Sequence, residues 1–195
     1  MGVIASNFSN GSGQWGSNNG SASSWATFSA NNVHATSTTG GQYSLFFTVG
    51  SFGATQTSTV TLGSANWTST GAGPGVTVRS IASGTRYRFV WFSSTWYLQY
   101  GLASGTGNLT GTINSTAAPA SLNLGDKLTL SAVGSALTCL YNGSQVLSGT
   151  NSNISSGGSP GIEFQTGTVS TQIYSLWTGS SATTPKARCD AFFGF

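Results

Sequence analysis

Residues 125–164 read GDKLTLSAVGSALTCLYNGSQVLSGTNSNISSGGSPGIEF, and the order of side chains in this stretch decides the fold. Lys127–Val133 and Ala136–Asn142 are two short runs separated by Gly134-Ser135, a glycine-first pair that suits a two-residue type II′ hairpin turn. Counting outward from the turn, Val133 faces Ala136, Ala132 faces Leu137, Leu130 faces Cys139 and Leu128 faces Tyr141. Side chains alternate at period two along a strand, so Leu128, Leu130, Ala132, Leu137, Cys139 and Tyr141 share one apolar face. The other face carries Lys127, Thr129, Ser131, Thr138 and Asn142, relieved only by Val133, Ala136 and Leu140, and is expected to meet water. Asn142-Gly143 then supplies the two positive-φ positions of a type I′ turn and sends the chain back through Val146. The stretch is a three-strand meander.

The same residues carry a resemblance. Gly125-Asp126 ahead of Leu128 and Leu130, then Gly134, Leu137, Tyr141-Asn142-Gly143, Val146, a polar loop and Ser159-Pro160-Gly161-Ile162, resemble the laminin-G-like jelly rolls of the concanavalin A-like lectin/glucanase superfamily. Gly75-Val76-Thr77-Val78-Arg79 and Arg86-Tyr87 look like earlier strands of that fold, so the resemblance spans roughly residues 54–178. It implies an all-β chain folded as an antiparallel two-sheet jelly-roll β-sandwich. Such a likeness speaks for fold more than for function.

Composition agrees. The 195 residues suit one β domain, with residues 1–24 as an N-terminal arm or edge strand and 180–195 as a tail that closes the core or docks on a neighbour. Only 5% of the residues are charged, yet no apolar run approaches the length of a membrane span. The exterior is therefore built from Ser, Thr, Asn, Gln and Gly, a composition that recurs on secreted, cell-surface and virion proteins. The net charge of +3 comes from dispersed residues, which gives nucleic-acid binding no footprint. The start, MGVIASNFSNGSG, has neither a basic segment nor an apolar one and does not read as a signal peptide. Its Met-Gly-x-x-x-Ser fits a myristoylation pattern that arises often by chance.

Further strands are expected at Trp25–Phe28, Tyr43–Val49, Thr55–Leu62 and Val169–Trp177, and Val3–Phe8 is expected to pair with the end of the chain. Gly71–Gly75 reads as a turn cluster that a central strand would not tolerate. Arg86–Gly101 reads as a hairpin about Ser93-Ser94, with Trp91 opposite Trp96, Phe89 opposite Leu98 and Tyr87 opposite Tyr100 on the core side. Arg86, Arg88, Val90, Tyr97 and Gln99 then lie on the other side. Nothing reads as a long amphipathic helix.

Catalytic chemistry is sparse. The acidic residues are Asp126, Glu163 and Asp190, whereas carboxylate-based glycoside cleavage needs two carboxyls about 5 to 9.5 Å apart. The Glu-x-Asp-x-x-Glu run of the resembled glucanases is missing. Asp126 reads as a turn residue, and Glu163 as solvated or paired on a polar face. His34 is the only histidine. Gly157-Gly-Ser159-Pro-Gly161 matches a nucleophile-elbow pattern without the helix that motif requires, and Gly11-Ser-Gly13-Gln-Trp-Gly16 matches a dinucleotide pattern without a βαβ unit. No catalytic residue, metal ligand or cofactor is assigned. Where relatives often place calcium-binding aspartates, this chain has Asn151-Ser-Asn153. Cys139 and Cys189 allow one disulfide if the tail enters the core; otherwise Cys139 is a buried thiol.

What remains is a binding surface. Tyr97, with Gln99, Arg86 and Arg88, offers a stacking ring beside planar hydrogen-bonding groups, the equipment of glycan recognition. The competing reading is that the two arginines keep an exposed strand soluble. Trp67 is a second aromatic candidate or a core residue. The sequence thus points to a non-enzymatic recognition or structural module on a virion or extracellular surface, first of all a phage capsid decoration, fibre or tail-associated protein, meeting glycans or neighbouring subunits, as a homo-oligomer or assembly component. A carbohydrate-binding or adhesion module of a secreted protein is the alternative, and a glycosidase or lyase the third.

Overall fold

The computed structural model describes residues 2–18, 26–29, 31–36, 41–64, 67–68, 73–102, 109–166 and 173–181. Its strands, in chain order, are β1 (Gly2–Ser6), β2 (Trp15–Ser17), β3 (Ala26–Ser29), β4 (Asn32–Ala35), β5 (Gly41–Phe47), β6 (Gln56–Leu62), β7 (Trp67–Thr68), β8 (Gly73–Ser80) and β9 (Arg86–Phe92). They continue as β10 (Thr95–Gly101), β11 (Gly111–Ala117), β12 (Ser121–Leu122), β13 (Lys127–Val133), β14 (Ala136–Tyr141), β15 (Ser144–Thr150), β16 (Ser159–Thr166) and β17 (Ile173–Ser181). The one helical element among the described residues is the 3-10 turn Gly11–Gln14.

The meander forms in the register that its turns dictate: Leu128 faces Tyr141, Leu130 faces Cys139 and Ala132 faces Leu137. Gly134 takes φ +57°, and Asn142 and Gly143 take +50° and +84°, as their turn types require. The first sheet runs β15-β14-β13-β6-β17-β4-β3, with β1 also on β17; the second runs β11-β10-β9-β8-β16-β5-β2. Every pairing is antiparallel, and strands remote in sequence, such as β6 with β13 and β5 with β16, lie side by side. This is a two-sheet jelly roll. Between the sheets lies an aromatic core in which Trp15, Phe47 and Trp177 meet at one end and Phe89 and Trp96 at the other. Burying such rings is worth roughly 1.5–3 kcal/mol each, and this holds the layers together.

The hairpin β9–β10 also keeps its expected register, with Trp91 opposite Trp96, Phe89 opposite Leu98 and Tyr87 opposite Tyr100. It does so through a turn in which Ser93 and Ser94 both adopt positive φ, a conformation roughly 1–2 kcal/mol unfavourable per residue without glycine. The buried cross-strand pairs outweigh that cost. At the N-terminus, Gly2–Ser6 pairs with Trp177–Ser181, so the first strand does meet the last described one.

Gly71–Gly75 requires a correction. Gly73-Pro74-Gly75 lies within β8, between β16 and β9 in the middle of the second sheet. The hydroxyl of Tyr174, reaching from the first sheet through the core, accepts from the Gly75 N–H at 2.9 Å and donates to the Glu163 carbonyl at 2.5 Å. It therefore satisfies the backbone groups beside the proline. A side chain at position 75 would place its Cβ 2.9 Å from the Phe89 carbonyl oxygen and 3.0 Å from the Glu163 Cβ, so glycine there lets Glu163 stand close to β8. The expected solvent face of β9 is corrected too: Arg86, Arg88 and Val90 are all buried.

Candidate functional site

Glu163 projects from β16 on the side of the second sheet away from the aromatic core, between Ser44 on β5 and Gly75 on β8. Arg86 donates from Nη2 to Oε1 at 3.0 Å and from Nε to Oε2 at 3.1 Å. Arg88 donates from Nη1 to Oε1 at 2.9 Å, and the Ser44 hydroxyl donates to Oε2. Both carboxylate oxygens thus accept twice. Burial, the largest influence, would push the Glu163 carboxyl up, but the two guanidiniums and the bonds from Arg86 and Ser44 outweigh it and hold it below its ordinary value. Burial also lowers Arg88 to about 10, with Glu163 acting against the shift and Arg86 adding to it. Glu163 and Arg86 have no exposed side-chain surface, so of the two expectations for Glu163, solvated or paired on a polar face, the paired one holds. The arginines do not serve an exposed strand.

The network continues outward. Arg88 donates from Nε and Nη2 to Gln99 Oε1 at 2.9 and 2.6 Å, and Gln99 Nε2 donates to the Thr112 hydroxyl at 2.9 Å. One hydrogen-bonded row therefore crosses β16, β9, β10 and β11, from a buried carboxylate to an exposed threonine. The two bonds to Oε1 fix which way the Gln99 amide points. They leave its second N–H and the Thr112 O–H as oriented donors at the partly open end of the row. Tyr97, two residues from Gln99 on the same face and opposite Ser115, is half-buried beside them.

On the same side of the sheet, from β8 across to the β2 edge, stand buried polar groups with no hydrogen-bond partner among the described residues: the Thr77 hydroxyl, in register with Arg88, Gln42 Oε1, and Asn18 Nδ2 beside Ser44. Buried polar atoms are rarely left unpaired and are commonly met by ordered water. Of the sequence candidates, the structure brings Arg86, Arg88 and Gln99 into one network with Tyr97 alongside. Only Tyr97 and Gln99 reach solvent. Ser44, Thr112, Gln42, Thr77 and Asn18 escaped the sequence reading, because no local pattern places β16 between β8 and β5 or β11 beside β10.

The remaining chemistry is spoken for. Asp126 Oδ2 accepts from the Asn123 N–H and the Tyr141 hydroxyl at 2.8 and 2.7 Å, and Oδ1 accepts from Asn142 Nδ2 at 2.8 Å. It braces the turns around the meander, in the other sheet from Glu163. Against the dominant upward push of burial, these three bonds keep its carboxyl low, and the burial and carboxylate around Tyr141 push that phenol up to about 12. Ser159 heads β16 rather than a strand-to-helix elbow, and Gly11–Gly16 forms the short turn into β2. Trp67 is a core residue stacked on Tyr174 at 5.5 Å. Cys139 is a buried free thiol that burial pushes up. Among the described residues no three His, Cys, Asp or Glu side chains gather to hold a metal ion, and no helix is long and apolar enough to cross a membrane. Trp25, Asp190, Cys189, the basic pair Lys186 and Arg188 and the phenylalanine-rich tail lie outside the described residues.

No protein-family model matches the sequence, and no curated protein matches it. Solved structures do. The carbohydrate binding module CBM66 from Bacillus subtilis superposes with a TM-score of 0.59 at 16% identity, covering 84% of this chain and 91% of its own. A Bacillus subtilis protein of unknown function with a galectin-like fold gives 0.62 at 8% identity, covering 91% and 94%. A prokaryotic β-1,3-1,4-glucanase (lichenase) derived from a mouse hindgut metagenome gives 0.59 at 11%, covering 94% and 100%. At these identities the likeness shows the fold alone, a two-sheet antiparallel jelly roll. Its neighbours include both binding modules and glucanases.

Proposed function

We propose that this protein is a glycan-recognition module that binds without cleaving, through the outer face of its second sheet. The observation that carries the reading is the directed row Glu163–Arg88–Gln99–Thr112, which ends in oriented donors beside the Tyr97 ring. A sugar offers vicinal hydroxyls to such donors and a C–H face to a ring. The solved structures of like fold support the ligand class, since one is named a carbohydrate binding module. Against cleavage stands the placement of the two described carboxylates: Glu163 is saturated by two arginines and a serine, and Asp126 by a turn in the other sheet. A hydrolase needs one carboxyl free to give a proton and a second across the sugar.

In this proposal Tyr97 and Gln99 touch the ligand, while Arg86 and Arg88 act from behind as positioning residues. The hydroxyl-rich, nearly uncharged exterior supports display on an outer surface. We assign that surface to a virion, where the module meets host glycans or neighbouring subunits; attachment to a secreted protein is the second reading, favoured by the likeness to CBM66. A glycan array probed with the wild-type chain and with Tyr97→Ala tests the site. Loss of stacking is expected to weaken every bound glycan about tenfold, the equivalent of ~1.4 kcal/mol. Unchanged binding by Tyr97→Ala overturns the placement, and finding the protein among secreted proteins but not in purified particles overturns the virion assignment.

A further inference from the structure

A pocket of about 340 Å³ lies away from the sheet face, lined by Ser135 in the turn between β13 and β14 and by Thr150, Asn151, Ser152 and Asn153 at and after the end of β15. Its walls are fastened from behind. Arg79, almost fully buried, donates from Nη2 to the carbonyls of Gly134 and Ala54 at 2.7 and 2.8 Å and from Nη1 to that of Ile154. The buried Tyr87 hydroxyl lies 2.9 Å from both the carbonyl and Oδ1 of Asn151 and accepts from the Ile154 N–H at 3.0 Å. The Asn151 N–H donates to the Ser135 carbonyl at 2.9 Å and so joins the two loops.

We propose that this pocket is a second binding site, one that takes a single neutral polyhydroxylated unit such as a terminal sugar ring. The Asn151 amide is oriented, because Oδ1 already receives the Asn153 N–H at 2.9 Å and the Tyr87 hydroxyl. Its Nδ2 is thereby left to donate to a ligand. The hydroxyls of Ser135, Thr150 and Ser152 each donate and accept, and the Asn153 amide adds one group of each kind. A ligand with adjacent hydroxyls matches this set. An ionic ligand finds no counter-charge in the lining, and an apolar one finds neither aromatic ring nor aliphatic side chain. The volume sits at the lower end of small-molecule sites, roughly 300–1,000 Å³, which is room for one ring. The site shares no residue with the strip beside Tyr97.

The test is an amide-resolved NMR titration of the full chain with the methyl pyranosides of glucose, galactose, mannose and N-acetylglucosamine, and separately with calcium chloride. The expected result is a saturable shift of the Ser135 and Asn151–Asn153 amides and of Asn151 Nδ2 with at least one glycoside. That shift should persist in Tyr97→Ala and vanish in Ser152→Trp, whose exposed side chain fills the pocket without breaking a fastening bond. No shift at these amides with any glycoside, a shift that survives Ser152→Trp, or a response to calcium alone overturns the inference. Shifts near Tyr97 and Gln99 in the same spectra report on the sheet-face reading separately.

Discussion

Replacing Glu163 by glutamine removes one negative charge and leaves the shape of the site almost unchanged. In the native protein both oxygens of Glu163 are saturated by Arg86, Arg88 and Ser44, and it is the only described carboxylate bonded to either guanidinium. The substitution leaves two buried positive charges facing an amide. It also turns two acceptor oxygens into one acceptor and one donor, so an N–H confronts a guanidinium or the Ser44 hydroxyl. Removing one member of a buried ion pair costs about 3–5 kcal/mol, most of it the penalty for the charge left behind. In a chain of this size each kcal/mol moves the melting temperature by about 2–4 °C, so Glu163→Gln is expected to melt about 6–20 °C below wild type in a calorimetric scan. The combined variant Glu163→Leu, Arg86→Met, Arg88→Met replaces the cluster with apolar side chains of similar bulk and is expected to recover much of the loss, because no buried charge remains within the cluster. A Glu163→Gln protein that melts within about 2 °C of wild type would show that the carboxylate does not hold the two buried guanidiniums in place. A triple variant less stable than the single one would show that stranded charge is not what the substitution costs.

Arg79 ties the loops containing Ala54, Gly134 and Ile154; Arg79→Ala strands those carbonyls and is expected to cost about 3 kcal/mol or more in urea unfolding. Asp126 and Glu163 both titrate below their ordinary values of 3.8 and 4.5. Their contribution to stability is therefore complete above those values and is lost as pH falls through the lower folded-state values. Melting temperature should be level above about pH 5 and drop below about pH 4, and Asp126→Asn should make the drop shallower. Cys139 is buried with its thiol pushed up, so a thiol reagent followed by peptide mapping should leave Cys139 unlabelled in the native protein and label it in denaturant.

The local half of this fold was legible. Gly134-Ser135 and Asn142-Gly143 leave one way to count the meander, and the observed pairs follow it. In the hairpin from Arg86 to Gly101 the alternation of aromatics fixed the register although Ser93-Ser94 is poor turn chemistry. What stayed hidden depends on partners distant in sequence. Arg86 and Arg88 read as surface residues because Glu163, 77 and 75 positions away, comes beside them only when β16 enters the sheet next to β8. Gly73-Pro74-Gly75 reads as a turn unless Tyr174 is known to cap its backbone from the opposite sheet. β11, Gly-Thr-Ile-Asn-Ser-Thr-Ala, shows no alternation because it is a largely exposed edge strand, and with it went Thr112. The side of β10 that carries the candidate site was thus readable; the depth at which each residue sits was not.

The most direct test of binding without cleavage is isothermal titration of the wild-type protein with its best glycan from the array, followed by chromatography of that glycan after prolonged incubation. The account predicts a saturable heat that weakens about tenfold in Tyr97→Ala and a glycan recovered intact. A titration indifferent to Tyr97, or shortened glycan chains that disappear in Glu163→Gln, would contradict it.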